Sequence, residues 1–291
     1  MNRPLAMIFA VMLAMLTVTS TCLAESGQQV QFRLETEHGN SGKIHASFRK
    51  DWDGRNHDNW STGFMPSDLI GLEVSSFHGA GSRPLHFSVI REAGRLDCGG
   101  NGGNGYATGN CTFAENPAFT QLLVSRGIGR PTREEAFGLL AVDARRSLVD
   151  AVAAARYPTP TINDLIALSA LGADGSYISE MARAGYRPDS VRKLIEFKAM
   201  GITPQWIGGF VRVGYANVPG DGLVQMKALG ITPEFIEGYQ RIGYRSLPVN
   251  TLVQLKALDI TPEFVRATVG PQSSLPPVGE LVQLKMFGRR R

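Results

Sequence analysis

The hydrophobic positions of this chain change period once. From Val30 to Phe113 apolar and polar residues mostly alternate, in short runs such as VQFRLE, KIHASFR and LHFSVIR separated by clusters of Gly, Asn, Asp and Ser. A period of two puts apolar side chains on one face of a pleated strand, so this stretch predicts an antiparallel β module. After ENPAFTQLLVSRGIGRPT the spacing becomes helical. Gly127 to Pro131 reads as the joint, and the domain boundary is set near residue 130.

The helical region repeats. Leu165, Leu194, Leu223, Leu252 and Leu281 stand 29 residues apart, and Tyr157, Tyr186, Tyr215 and Tyr244 keep the same interval. Within one unit Leu223, Met226 and Leu229 share a face of a first helix, and Phe235, Ile236, Tyr239 and Ile242 share a face of a second. Gly230 ends the first helix in a left-handed conformation, Thr232 caps the second, and Pro233 occupies its first turn. Gly201, Thr203 and Pro204 repeat this punctuation, as do Asp259, Thr261 and Pro262. A unit of this length cannot bury a core alone, so neighbours must stack. REEAFGLLAVDARRSLVDAVAAARY reads as a weaker first copy, and LVQLKMFG as a single closing helix. The predicted fold class is α+β: an N-terminal antiparallel β module followed by a C-terminal αα-repeat solenoid.

Ahead of both regions lies MNRPLAMIFAVMLAMLTVTSTCLA, with a basic start at Arg3, an apolar stretch from Leu5 to Val18 and small residues leading to Ala24. This is the pattern of a secretory signal peptide over residues 1–24, and its apolar core is shorter than the roughly 20 residues a spanning helix needs. The mature chain then divides into residues 25–130 and 131–291, with no membrane span and a periplasmic or secreted location. The net charge of +4 is modest, and the terminal run Arg289, Arg290 and Arg291 accounts for most of it. Without a basic face or a binding motif, that run does not argue for a nucleic-acid partner.

Removal of the leader leaves two cysteines, Cys98 and Cys111, in an oxidising compartment. The pair is centred on Asn104-Gly105, the favoured two-residue hairpin turn, which places the cysteines opposite each other at a non-hydrogen-bonded position. A disulfide is predicted. GGNGGNGYATG holds fragments of nucleotide-binding patterns but is followed by no helix, so it reads as a flexible hairpin tip and no cofactor is assigned. DWDGRNHDNW supplies Asp51, Asp53, Asn56, His57 and Asp58, candidates for a cation or for acid–base work. Its calcium register fails: with Gly54 as the turn glycine, Arg49 and Trp60 take the first and last ligand positions, and the segment reads as a solvated loop between strands. Lys198, Lys227, Lys256 and Lys285 recur at one repeat position, and Arg183, Arg212 and Arg241 at another. They read either as basic ladders that meet an acidic partner or as residues that flank the core stripe with their stems.

QFRLETEHGNSGKIHASFR, then LHFSVIREAGRLDCGGNGGNGYATGNCTFAENPAF, then the GITPEFI and GY units resemble the exported region attached to some bacterial BlaR-type membrane zinc metallopeptidases. The membrane helices and zinc motif of those peptidases are absent from this sequence, so no catalytic residue carries over. The resemblance implies an accessory, ligand-sensing or protein-contacting role at the cell envelope. The function expected is a non-catalytic exported binding protein that holds an envelope protein or peptide on its solenoid surface. Two alternatives stand beside it: a cell-wall-directed hydrolase with its site at the domain junction, using Asp51, Asp53, His57 and Asp58, and a small-ligand sensor coupled to a membrane metallopeptidase.

Overall fold

The structure, a computed structural model, describes residues 29–36, 42–51, 57–186, 190–269 and 274–288, without the side chains of Asp51, His57 and Asp58. Residues 1–24, read from the sequence as a leader, and Asp53 lie outside the described residues. Six strands come first: β1 (Val30–Thr36), β2 (Ile44–Asp51), β3 (His57–Phe64), β4 (Arg83–Arg91), β5 (Gly94–Gly103) and β6 (Tyr106–Glu115). They form one antiparallel sheet in the order β3-β2-β1-β6-β5-β4. Alternation decides its faces: Val30, Phe32 and Leu34 of β1 are buried with Ile44, Ala46 and Phe48 of β2, while Gln31 and Arg33 stand in solvent. The segment read as a loop is shorter than expected, because β2 runs through Asp51 and β3 begins at His57. A short helix, α1 (Val74–His78), precedes β4 and contributes buried Phe77.

The β5–β6 hairpin turns at Asn104 and Gly105, with φ of 56° and 76°. Both residues are left-handed, as a type I′ turn requires. The tip is pinned rather than flexible. Asn104 N–H donates to Gly79 O at 2.7 Å, Gly105 N–H to Phe77 O at 2.9 Å, and Thr36 N–H to Gly105 O at 2.9 Å. The glycine richness has a packing cause: a Cβ on Gly100 or Gly109, which pair across the hairpin, would lie 2.9 or 2.7 Å from the Phe32 ring.

Among the described residues twelve helices follow. They are α2 (Pro117–Ser125), α3 (Arg133–Ala141), α4 (Arg146–Ala154), α5 (Ile162–Ala170), α6 (Gly175–Arg183), α7 (Val191–Ala199), α8 (Pro204–Arg212), α9 (Gly220–Ala228), α10 (Pro233–Arg241), α11 (Val249–Ala257), α12 (Pro262–Val269) and α13 (Val278–Phe287). The odd-numbered ones from α3 start at intervals of 29 residues, and so do the even-numbered ones from α2. Left-handed residues end the helices in the same register: Asp143, Gly172, Gly201, Gly230 and Asp259 in one series, Gly127, Arg156, Gly185, Gly214 and Gly243 in the other. Behind each, an N–H reaches five residues back, as in Ile231 to Met226 O at 2.8 Å and Tyr244 to Tyr239 O at 3.0 Å. These are the bonds that close a helix C-terminus on a left-handed residue.

The repeat register reaches back past residue 130. Asn116 stands at the cap position that Thr203, Thr232 and Thr261 hold later, its side chain accepts from Ala118 N–H, and Pro117 follows it as Pro204, Pro233 and Pro262 follow the threonines. Helix α2 is therefore the second helix of a half unit. Its missing first helix would fall at the Asn104-Gly105 turn and most of β6, and α3 packs on β5 and β6 as α5 packs on α3. Phe113 meets Phe137 edge to face at 5.6 Å across this contact.

The β4–β5 turn, Arg91-Glu92-Ala93-Gly94, ties the sheet to the first full unit. Arg91 Nη1 donates to Leu140 O and Ala141 O, both at 2.7 Å, so a guanidinium closes the negative end of α3. The same group lies 4.9 Å from the Trp60 ring and 5.5 Å from Phe64. Burial pulls its pKa below the ordinary guanidinium value, with Asp143 and Asp68 opposing. Glu92 does the converse for α4, whose cap residue Arg145 has no capping side chain: its carboxylate accepts from Arg146 N–H at 2.6 Å. Asn116 Nδ2 donates to Glu92 O at 2.8 Å, which joins α2 to the same turn.

Arg91→Ala leaves two buried carbonyls without their charged donor and is expected to lower unfolding free energy by about 3 kcal/mol in denaturant titration. Arg156 is exposed and left-handed, and its side chain makes no hydrogen bond or ion pair among the described residues. Arg156→Gly is expected to raise stability by about 0.5 to 1 kcal/mol, since an L side chain there costs about 1 to 2 kcal/mol and glycine returns part of that as chain entropy.

Candidate functional site

In the stack, most repeated polar groups are used between units. Tyr157 Oη donates to Tyr186 O at 2.9 Å, Tyr215 Oη to Leu247 O at 2.6 Å, and Tyr244 Oη to Pro276 O at 2.5 Å. Burial raises the pKa of Tyr215 and Tyr244, and of Tyr177 and Tyr239 inside the stack. The lysines behave alike. Lys198 Nζ sits 4.7 Å from the Tyr177 ring centroid, Lys227 5.2 Å from Trp206, Lys256 5.1 Å from Phe235, and Lys285 4.9 Å from Phe264. Each lysine belongs to the first helix of a unit and each ring to the second helix of the unit before. Lys285 Nζ also donates at 2.9 Å to the carbonyl of Asp259, the left-handed residue that follows the preceding first helix. The lysine column lies across unit boundaries, half-buried, with its charge turned onto a neighbouring ring.

The arginine column differs. Arg183, Arg212 and Arg241 close α6, α8 and α10 and are exposed. Glu234 beside Arg212 is held below its ordinary carboxyl value, first by the Thr232 hydroxyl and its own N–H and further by the arginine. Glu263 is held low by its own N–H, then by Thr261 and Arg266, and last by Arg241. The equivalent position for Arg183 is Gln205, which donates instead to Glu180 at 3.3 Å. The Arg183 side chain makes no hydrogen bond or ion pair among the described residues.

In the β module, Cys98 and Cys111 pair across β5 and β6 with sulfurs 2.02 Å apart, both buried. The backbones of Asp51 and His57 face each other across β2 and β3, as do those of Lys50 and Asp58. Lys50 itself is buried, and burial, followed by the Arg133 charge, pushes its ammonium down to about 8. Among the described residues no group of three or more His, Cys, Asp or Glu is placed to hold a metal, and no helix is long and apolar enough to cross a membrane.

Two grooves flank the turn between α3 and α4 and share Val142. One, of 510 Å³, lies where the sheet meets the stack and is lined by Asn59 and Trp60 of β3 with Glu134, Glu135 and Asn163 of α3 and α5. Glu135 is committed to capping α3, accepting from Thr132 N–H at 2.8 Å. The other, of 590 Å³, runs between α4 and α6 and ends on Arg183. The repeats themselves hold a signal for this groove: the lysine and aromatic pair, 21 residues apart in four units, is Leu148 and Ser169 in the first. Comparison with protein-family models, with curated proteins and with solved structures finds no match to this chain.

The two columns differ in what their removal costs. Lys227→Ala is expected to lower stability by about 1 kcal/mol, whereas Arg212→Ala stays within about 0.5 kcal/mol, both read by chemical denaturation.

Proposed function

We propose that this chain is an exported, non-catalytic binding protein whose solenoid surface engages another envelope protein or peptide. The observation that carries the reading is the stack in its 29-residue register, because such stacks offer an extended surface while each unit contacts only its neighbours. The tyrosine hydroxyls and lysines are spent on holding that stack together, and the exposed arginine column supplies charge toward solvent. An acidic segment is the partner such a column favours. The leader pattern and the Cys98–Cys111 pair support an oxidising compartment. The resemblance to the exported region of BlaR-type peptidases supports an accessory role at the envelope.

A second reading, a small-ligand sensor, is favoured by the 590 Å³ groove, which falls in the range of about 300 to 1,000 Å³ typical of small-molecule sites. Cross-linking in intact cells tests the first reading when the mature chain is compared with Arg212→Glu/Arg241→Glu. A partner captured by the parent and lost from the variant is the expected outcome. Equal capture by both would place the contact off the arginine column.

A further inference from the structure

The lysine and aromatic ladder is interrupted at one step. Between the units that supply Lys198 with Tyr177, Lys227 with Trp206, Lys256 with Phe235 and Lys285 with Phe264, a ring and a four-carbon chain fill the space above the second helix. One step toward the sheet, the same positions are Leu148 and Ser169. One step further they are Phe119 and Leu140, both buried, so the loss of bulk is confined to a single boundary. The 590 Å³ groove lies at that boundary.

Its chemistry is uneven. The floor is apolar, made by Leu148 and Ala151. Of its two carboxylates, Asp143 accepts from Arg145 Nε and Nη2 at 3.0 and 2.6 Å, and Asp174 accepts from the Ser176 hydroxyl and Tyr177 N–H at 2.7 and 2.9 Å. Asp143 is neutralised by Arg145, and Asp174 keeps its charge but is turned onto the N-terminus of α6, which it caps. What remains is cationic and donating: the Arg183 guanidinium, and the hydroxyls of Ser147 and Ser169, which make no hydrogen bond among the described residues.

We propose that this groove binds a small acid carrying an aromatic side chain beside a carboxylate. The ring takes the volume that Tyr177, Trp206, Phe235 and Phe264 fill at the other steps, and the carboxylate meets Arg183 and the two serines. A peptide ending in such a residue and a free N-acylated amino acid share this chemistry. The proposal rests on the solenoid-binding reading and names one contact of that surface.

Titration of the mature chain with N-acetylphenylalanine, its carboxamide and acetyl-Ala-Ala-Phe, followed by amide nitrogen–proton spectra, tests it. The expected shifts fall on Gly172, Gly175 and Ser176, the carboxamide binds at least about tenfold more weakly, and Arg183→Ala weakens the acid to a similar degree. Tighter binding of the tripeptide than of the free acid identifies a peptide terminus as the source. Leu148→Phe/Ser169→Lys rebuilds the ladder and is expected to abolish the shifts while the chain still unfolds cooperatively. The proposal is overturned by an absence of shifts up to the solubility limit, by shifts elsewhere, by equal binding of acid and carboxamide, or by binding that survives in Arg183→Ala. None of those outcomes alters the cross-linking result at Arg212 and Arg241, so the two readings fail separately.

Discussion

A helical hairpin of 29 residues leaves one side of its first helix uncovered, and every unit of this chain solves the problem by burying that side against the unit before it. Leu165, Leu194, Leu223 and Leu252 are fully or nearly fully buried for this reason. The arrangement needs a beginning, and the sheet provides it. Strands β5 and β6 stand where a first helix would stand, α2 supplies the second, and α3 seats Phe137 against Phe113. Arg91 and Glu92 then cap the two helices of the first full unit with opposite charges, each matched to the helix end it meets. One buried apolar cluster consequently runs from Val30 in the sheet to Leu281 in the last helix.

The economy of the repeat limits what its surface can offer. A lysine column read from sequence alone suggests a charged face, but the rings beneath Lys198, Lys227, Lys256 and Lys285 convert those charges into contacts between units. The tyrosine column closes in the same way on backbone carbonyls of the following unit. Charge turned toward solvent remains in the arginine column of the second helices, and the repeat departs from its own pattern at the step that lacks the lysine and its ring.

Much of the fold is legible in the sequence because the same local causes recur. Thr-Pro caps, left-handed stops and the leucine stripe mark both helices of a unit, and Asn104-Gly105 sets the hairpin that brings Cys98 opposite Cys111. The half unit is harder to see: Asn116 replaces threonine, the residues before it are strand, and a boundary placed at Gly127 to Pro131 separates α2 from the stack it belongs to. Arg156 and Asp143 hide two helix ends because they take a left-handed conformation that glycine takes elsewhere. The role of Arg91 is not readable in advance, since its carbonyl partners at Leu140 and Ala141 lie 49 and 50 residues away. The groove above Leu148 is legible only once the register is known, because a missing side chain has meaning only against the residues that fill the other steps.

If the sheet is the end cap of the solenoid, the two must open together. Native-state hydrogen exchange of residues 25–291, followed with increasing denaturant, measures this directly. The account predicts that amides of β4, β5 and β6 and those of α3 and α4 converge on one opening free energy, with later helices opening at equal or lower cost. Sheet amides that keep full protection after α3 and α4 have exchanged would show two independent folding units and contradict it.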